Sequence, residues 1–454
     1  MRSTAIALLI LLALPRVASA QYAMSFPDPE RYELENGLEV ILDPIPGRRE
    51  VTVLVSYHVG ARDQPRGWTG LAHLVEHLMF EGSLHVPSDS YIQSLERVGS
   101  LDRNAMTTID STDYYQTVPT EHLETVLFLE SDRMAYMLST LDERIVDGQR
   151  RVVDRERIER RTLSARGAVP SIISRALYPD GHPYRDVDEV AAHLAQIHLP
   201  EVQWFVQSYY QPANATVVIS GGFDPREARS EIARWFGSIR RSAPLPQRGS
   251  AERVQLEGER RMVLAADVPS DELRVIWPTP GYFAPGDAEL DVVAHILEER
   301  LRIALVERGI ALGAWSTQAS HELVSEFTAA ALLPRGRGTV EALAAIDAEL
   351  ARLEQGVDEA LVQRVREVWF DRLVERMESG AGRAMALSNG VHGGGRYTVA
   401  ADAHRYAQVD AERVARAVRR LLPRDRRIVV SISASPGAPD GGVVIADHMT
   451  RSVR

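Results

Sequence analysis

The 454-residue chain has no cysteine. Thiolate metal sites and cysteine nucleophiles are excluded, and stability must come from hydrophobic cores without disulfides. Beyond the first twenty residues, no stretch approaches the roughly eighteen uninterrupted apolar residues of a membrane-spanning helix. An excess of positive charge is also lacking. The 52 basic and 63 acidic side chains leave a formal charge of −11. The basic residues are all arginine, but they are interleaved with acids, so nothing indicates a nucleic-acid partner.

What remains is an ordinary soluble composition, 45% apolar and 25% charged, long enough for two to three domains that each bury a core. The opening "MRSTAIALLILLALPRVASA" has an early Arg2, an apolar run from Ala5 to Leu14, and small residues at Ala18-Ser19-Ala20. That layout reads as a secretory signal (1–20) cleaved after Ala20, with export to the periplasm or beyond; an uncleaved anchor is the alternative. "YELENGLEVILDP" reads as a hairpin about Asn36-Gly37, and the Val-rich 50–62 run as a strand. Helices are expected over "SYIQSLERVGS" and about 121–138, a hairpin over "LDRNAMTTIDSTDYYQTVP", and a last strand at "TVVISGGFD". Residues 241–254 are rich in Pro, Ser and Gly without an apolar period and read as a linker. The following half repeats the element order: strand "ELRVIWP", a helix about 286–307, a strand about 325–333, helices through 340–378 and 409–421, and a closing strand "RRIVVSISA". The expected fold is α+β, with two similar domains (21–240 and 255–454), each a mostly antiparallel sheet with helices packed on it.

The stretch "TGLAHLVEHLMFEGS" (69–83) carries the chemistry. His73, Glu76 and His77 sit in an otherwise apolar helix, at i, i+3 and i+4, and therefore share one face. Two imidazoles one turn apart suit a divalent metal, and zinc fits an imidazole set without thiols. The carboxylate beside them is placed as a general base toward water activated by that metal. His-x-x-Glu-His is the inverted form of His-Glu-x-x-His and a zinc-peptidase signature. A third protein ligand is required. Chemistry alone does not choose among Glu81, Glu130, Asp147, Asp154, Glu156 and Glu159.

The chain resembles the pitrilysin-like M16 metallopeptidases, which include the mitochondrial processing peptidase. "GLAHLVEHLMFEGS", "RNAMTTIDSTDYYQTVP", "FLESDRM", "GHPYRDV" and "FVQSYYQPANATVVISGGFDP" occur in that family's order. The resemblance implies the LuxS/MPP-like metallohydrolase fold and one zinc ion per chain. It makes Glu156, in "QRRVVDRE", the third ligand beside His73 and His77, with Glu76 as the base. Gln149 stands where the family has a glutamate, two helical turns before Glu156, and is expected to touch the ligands rather than the metal. Asn104 and Ala105 match the strand that pairs with an extended peptide substrate, and Tyr114 lies on the next strand.

The family completes its site with an Arg and a Tyr from a later domain. In "ALVERGIALGAWS", Val306 takes the Arg position and Leu312 or Gly313 the Tyr position. "GGGRY" (393–397) reads as a loop. The implied assembly is a heterodimer with a sister M16 subunit that supplies the Arg/Tyr pair, and the implied reaction is zinc-dependent endopeptidase hydrolysis of peptides or unfolded segments. A catalytically silent assembly or chaperone-type subunit is the alternative. His58, His85, His122, His193, His198 and His321 read as surface or satisfied histidines. Asn214-Ala215-Thr216 is a glycosylation sequon at a strand start.

Overall fold

A computed structural model describes residues 28–451, apart from 89, 165–168, 242–243, 247–253, 393–397 and 439–442. The expected signal sequence, most of the expected linker and the GGGRY segment lie outside the described residues.

The first half supplies strands β1 (Glu30–Glu33), β2 (Glu39–Pro44), β3 (Glu50–Tyr57), β4 (Asp102–Thr107), β5 (Thr112–Pro119) and β6 (Ala215–Gly221). Its helices are α1 (Leu71–Leu78), α2 (Ser90–Arg97), α3 (Leu123–Tyr136), α4 (Glu143–Ser164), α5 (Val169–Leu177), α6 (Ala191–Leu194), α7 (Leu199–Tyr209) and α8 (Pro225–Phe236). The second half runs β7 (Gly258–Ala266), β8 (Asp271–Pro280), α9 (Asp287–Leu301), β9 (Gly313–Ala319), β10 (Val324–Leu333), α10 (Val340–Gln355) and α11 (Glu359–Glu378). It continues with α12 (Gly380–His392), α13 (Val399–Ala407), α14 (Ala411–Leu421), β11 (Ile428–Ala434) and β12 (Val443–Arg451). "RRIVVSISA" therefore forms β11 and is not the closing strand, because β12 follows and pairs with β7.

Among the described residues the strands make two six-stranded sheets, β1-β2-β6-β3-β5-β4 and β12-β7-β11-β8-β10-β9. Each contains one parallel pair, β2–β6 or β7–β11, and is otherwise antiparallel. The hairpin about Asn36-Gly37 forms as its turn chemistry requires, with Leu34 N–H donating to Leu38 O at 2.9 Å. β3 is central and buried along most of its length. Its period-2 alternation sends Val51, Val53 and Val55 to the helices of the first half and Leu54 to the other face.

That other face shows how the halves join. Ile41, Leu54 and Val218 share a core with Ala384 and Leu387 of α12, so the second half lays a helix across the back of the first sheet. Reciprocally, Val169, Ile173 and Leu177 of α5 pack on Met262, Leu264, Ile428 and Val430 of the second sheet. Gly380 makes the first contact possible: a Cβ there would lie 2.2 Å from Thr52 Oγ1. Arg383 pairs with Asp43, nearly buried at 3% exposed, across the same seam. Removing either partner would strand a charge. All 52 basic side chains are arginines, and a guanidinium keeps its charge at such sites where an ammonium is more readily neutralised.

Candidate metal centre

Gly70 precedes α1 in the left-handed region, at φ 97°, where a side chain would strain the backbone. Gln64 caps the helix instead: its Oε1 accepts from the N–H groups of Gly70 at 2.8 Å and Ala72 at 3.0 Å. Leu71, Ala72, Leu74, Val75 and Leu78 sink into the first core. His73, Glu76, His77 and Phe80 are left on the cleft-facing stripe.

The Nε2 atoms of His73 and His77 lie 3.2 Å apart. Glu156 on α4 reaches both, with Oε2 3.5 Å from His73 Nε2 and Oε1 3.6 Å from His77 Nε2. Zinc–ligand bonds of about 2.0–2.1 Å in tetrahedral geometry put donor atoms about 3.3–3.4 Å apart, close to all three separations. The outer ring nitrogens decide which lone pairs face inward. His73 Nδ1 is 2.9 Å from Glu189 Oε1 and His77 Nδ1 is 3.3 Å from Gln149 Oε1. Both partners accept, so each Nδ1 holds the proton and each Nε2 presents a bare lone pair. Two bare imidazole nitrogens and a carboxylate aimed at one point repel one another, and a divalent cation there reverses the sign. The donor set therefore fits zinc.

Glu76 Oε2 accepts from Thr107 Oγ1 on β4 at 2.5 Å. His73, Glu76 and His77 offer donor atoms within 4.8 Å of one another. The other candidate ligands are engaged elsewhere. Glu130 is fully buried and bonds Arg133, Tyr91 and Gln116. Asp147 pairs with Arg150 and Asp154 with Arg157. Glu81 accepts from Gln149. Glu159 is exposed. Glu189 and Thr107 were not found from the sequence. Glu189 lies 116 residues beyond His73, and no local spacing announces a contact of that range.

Two cavities flank the constellation and share Glu76, His77, Asn104 and Ala105. One, about 340 Å³, is lined by Phe80, Ile92, Leu95, Arg103 and Tyr115. The other, about 1070 Å³, is lined by His73, Glu156 and Glu189 and receives His321 from the second half. His321 is thus a cleft residue. β4 is the sheet's edge beside this cleft; Asn104 and Ala105 pair with Tyr115 and Tyr114. Ala105 N–H donates to the Asn104 side-chain oxygen at 3.0 Å. Tyr114 is fully buried beneath the cleft, and burial pushes its hydroxyl well above the usual tyrosine range. Asn214 is also buried, its amide donating to Tyr209 O and His58 O, so the sequon is inaccessible in the folded chain. Val306 packs on the second core, and Leu312 is exposed just before β9.

Residues 39–181 match the family described as Insulinase (Peptidase family M16), and residues 196–368 match the Peptidase M16 inactive domain. The chain belongs to peptidase family M16. It is similar to the zinc protease PqqE of Helicobacter pylori, 27% identical over 61% of this chain and 62% of that protein. The probable zinc protease PqqL of Escherichia coli is 28% identical over 50% of this chain and 25% of that protein. In both, the match spans less than about two thirds of the relative's own length. Among solved structures, a protease from Helicobacter pylori superposes with a TM-score of 0.81 at 20% identity, covering 90% of this chain and 100% of that one. The first half of the periplasmic protease PqqL from Escherichia coli gives 0.71 at 18% identity, covering 90% and 92%. These likenesses establish the two-domain α+β M16 fold. Among the described residues, no helix is long and apolar enough to cross a membrane.

Proposed function

We propose that this M16 chain is the zinc-bearing subunit of an exported endopeptidase that hydrolyses peptides or unfolded segments. The carrying observation is the convergence of His73, His77 and Glu156 on one point, with both imidazole Nε2 lone pairs turned inward. In this reading those three hold one zinc ion per chain. Zinc supplies Lewis acidity and lowers the pKa of water at the site. Glu76, aimed by Thr107, takes a proton from the attacking water and returns it to the leaving amine. The edge strand β4 pairs with an extended substrate. The Ala105 N–H, held by Asn104 until then, passes to the peptide backbone, and the smaller cavity with Phe80, Ile92 and Leu95 takes an apolar side chain.

A sister subunit completes the site in this reading, since Val306 and Leu312 offer no polar group where the Arg/Tyr pair is needed. Two domains, 21–240 and 255–454, are joined by the 241–254 linker. Export is supported by the N-terminal pattern and by the naming of PqqL as periplasmic. A second reading, a silent assembly subunit, is favoured by the neutral Gln149 and the missing pair. The two separate on metal content and peptide cleavage of the mature chain, with and without its sister subunit. Stoichiometric zinc with cleavage in the pair supports the first. Zinc without cleavage in the pair supports the second, and no zinc at all overturns the metal assignment.

A further inference from the structure

We infer that Glu81 is a positioning residue of the metal centre, acting on His77 through the side-chain amide of Gln149. The inference rests on the zinc reading above. His73 is braced directly by a carboxylate, Glu189. His77 is braced by an amide, and Gln149 brings no charge of its own. The carboxylate on this side stands one link further out. Gln149 Nε2 donates to Glu81 Oε1 at 2.5 Å, while Gln149 Oε1 faces His77 Nδ1 at 3.3 Å.

The chain of donors and acceptors has one consistent direction. A carboxylate only accepts, so the Gln149 NH₂ turns to Glu81. The amide carbonyl then faces His77 and also only accepts. His77 must therefore carry its proton on Nδ1, leaving Nε2 bare toward His73 and Glu156. Without Glu81, the Gln149 amide is free to rotate by half a turn. Its NH₂ would then face Nδ1 and favour the tautomer with the proton on Nε2, which cannot bind a metal. Glu81 is held for this task at the end of α1. Its N–H donates to Leu78 O at 3.1 Å, and Thr140 Oγ1 holds Gly82 O at 3.1 Å. Just beyond, Ser83 Oγ and His85 N both donate to Asp132, at 2.5 and 3.1 Å. Glu81, Gln149 and His77 line the same cleft wall, where lowered dielectric strengthens each link.

The test is a zinc titration by chelator competition on the mature chain, using Glu81→Ala, Gln149→Glu and the double variant. Glu81→Ala weakens zinc binding by about 10- to 100-fold, the usual cost of losing a partner of a ligating histidine. Gln149→Glu binds at least as tightly as the native chain, because its carboxylate now bonds His77 directly. In that background Glu81→Ala costs nothing or tightens binding, since it removes a like charge beside the introduced carboxylate. Equal loss in both backgrounds would show a general charge effect and overturn the relay, as would no loss in the native background. Nitrogen NMR of His77 in the metal-free chain gives a readout independent of zinc. The native chain shows the Nδ1–H tautomer, and Glu81→Ala shifts the population toward Nε2–H. An unchanged tautomer overturns the relay. A native chain that binds no zinc but shows this tautomer shift sinks only the zinc reading.

Discussion

Helix α1 follows β3, and α9 follows β8 in the second sheet. Both start after a glycine in the left-handed region, Gly70 at φ 97° and Gly286 at φ 108°. Counting from those glycines, His73, Glu76 and His77 correspond to Glu289, Val292 and Val293. Val292 and Val293 are 2% and 0% exposed and belong to the second core. The same scaffold position is therefore open to a cleft in one half and filled with hydrocarbon in the other. The acids of α9 serve packing instead. Asp287 accepts from Phe283 N at 3.0 Å, Ser320 Oγ at 2.6 Å and Arg405 at 3.1 Å, so a guanidinium occupies the cation's role. Asp291, where α1 has Val75, accepts from Tyr406 OH. Burial, with the nearby Asp287 and Asp402 charges adding to it, pushes its carboxyl up to about 7. One half turns its helix into a candidate reactive face, and the other uses the equivalent helix to hold its own loops.

The contrast breaks most sharply at the reactive face. His77→Ala is expected to abolish zinc binding and cleavage together, measured by metal analysis and peptide assay. Glu76→Gln is expected to keep the metal but to lower turnover by about 10²- to 10⁴-fold, the usual worth of a general base. Retained activity in Glu76→Gln would remove the base assignment. The counterpart change Val293→His should not add a second zinc. Val293 is fully buried in the second core rather than facing a cleft, and Glu289, one turn before it, pairs with Arg413. The change should instead destabilise the second half by about 2–4 kcal/mol, from a buried polar group and a strained core, read by urea unfolding. A second bound zinc in that variant would overturn the contrast.

The seam between the halves is the next target. Gly380→Ala drives a methyl into Thr52 and should cost about 1–3 kcal/mol, while Gly309→Ala, with open space around it, reports only the strain of its left-handed backbone. The last test concerns the pH dependence of Asp291. Its folded pKa lies near 7 against an ordinary 3.8. Between those values the native state holds a proton that the unfolded chain has released. Stability therefore falls as pH rises from about 4 to about 7 and this contribution is level above. Asp291→Asn should flatten that slope in denaturant titrations across the window. An unchanged slope would show that Asp291 does not titrate there.

Much of α1 was legible in advance because its information is local. The i, i+3, i+4 spacing fixes a shared face whatever surrounds the helix. Glu156 and Gln149 were picked out by the family resemblance rather than by local spacing, while the Asn36-Gly37 turn fixed the first hairpin. β12 was not foreseen, since the Gly/Pro-rich stretch before it resembles a chain end. His321 read as a surface or satisfied histidine because only the meeting of the halves brings it to the cleft.

The amino-acid order by itself determined the apolar helix with three ionisable groups, the absence of thiols, the duplicated order of elements and the strand patterns. Each follows from backbone periodicity or side-chain chemistry within a few residues. For Glu156 and Gln149, expected from the family resemblance, the tertiary structure supplied the contacts with the histidines; it alone decided that Glu189 orients His73 and that α5 and α12 cross to the opposite sheets. Those contacts join residues tens to hundreds of positions apart. They are selected by how two whole cores pack, which no local spacing encodes.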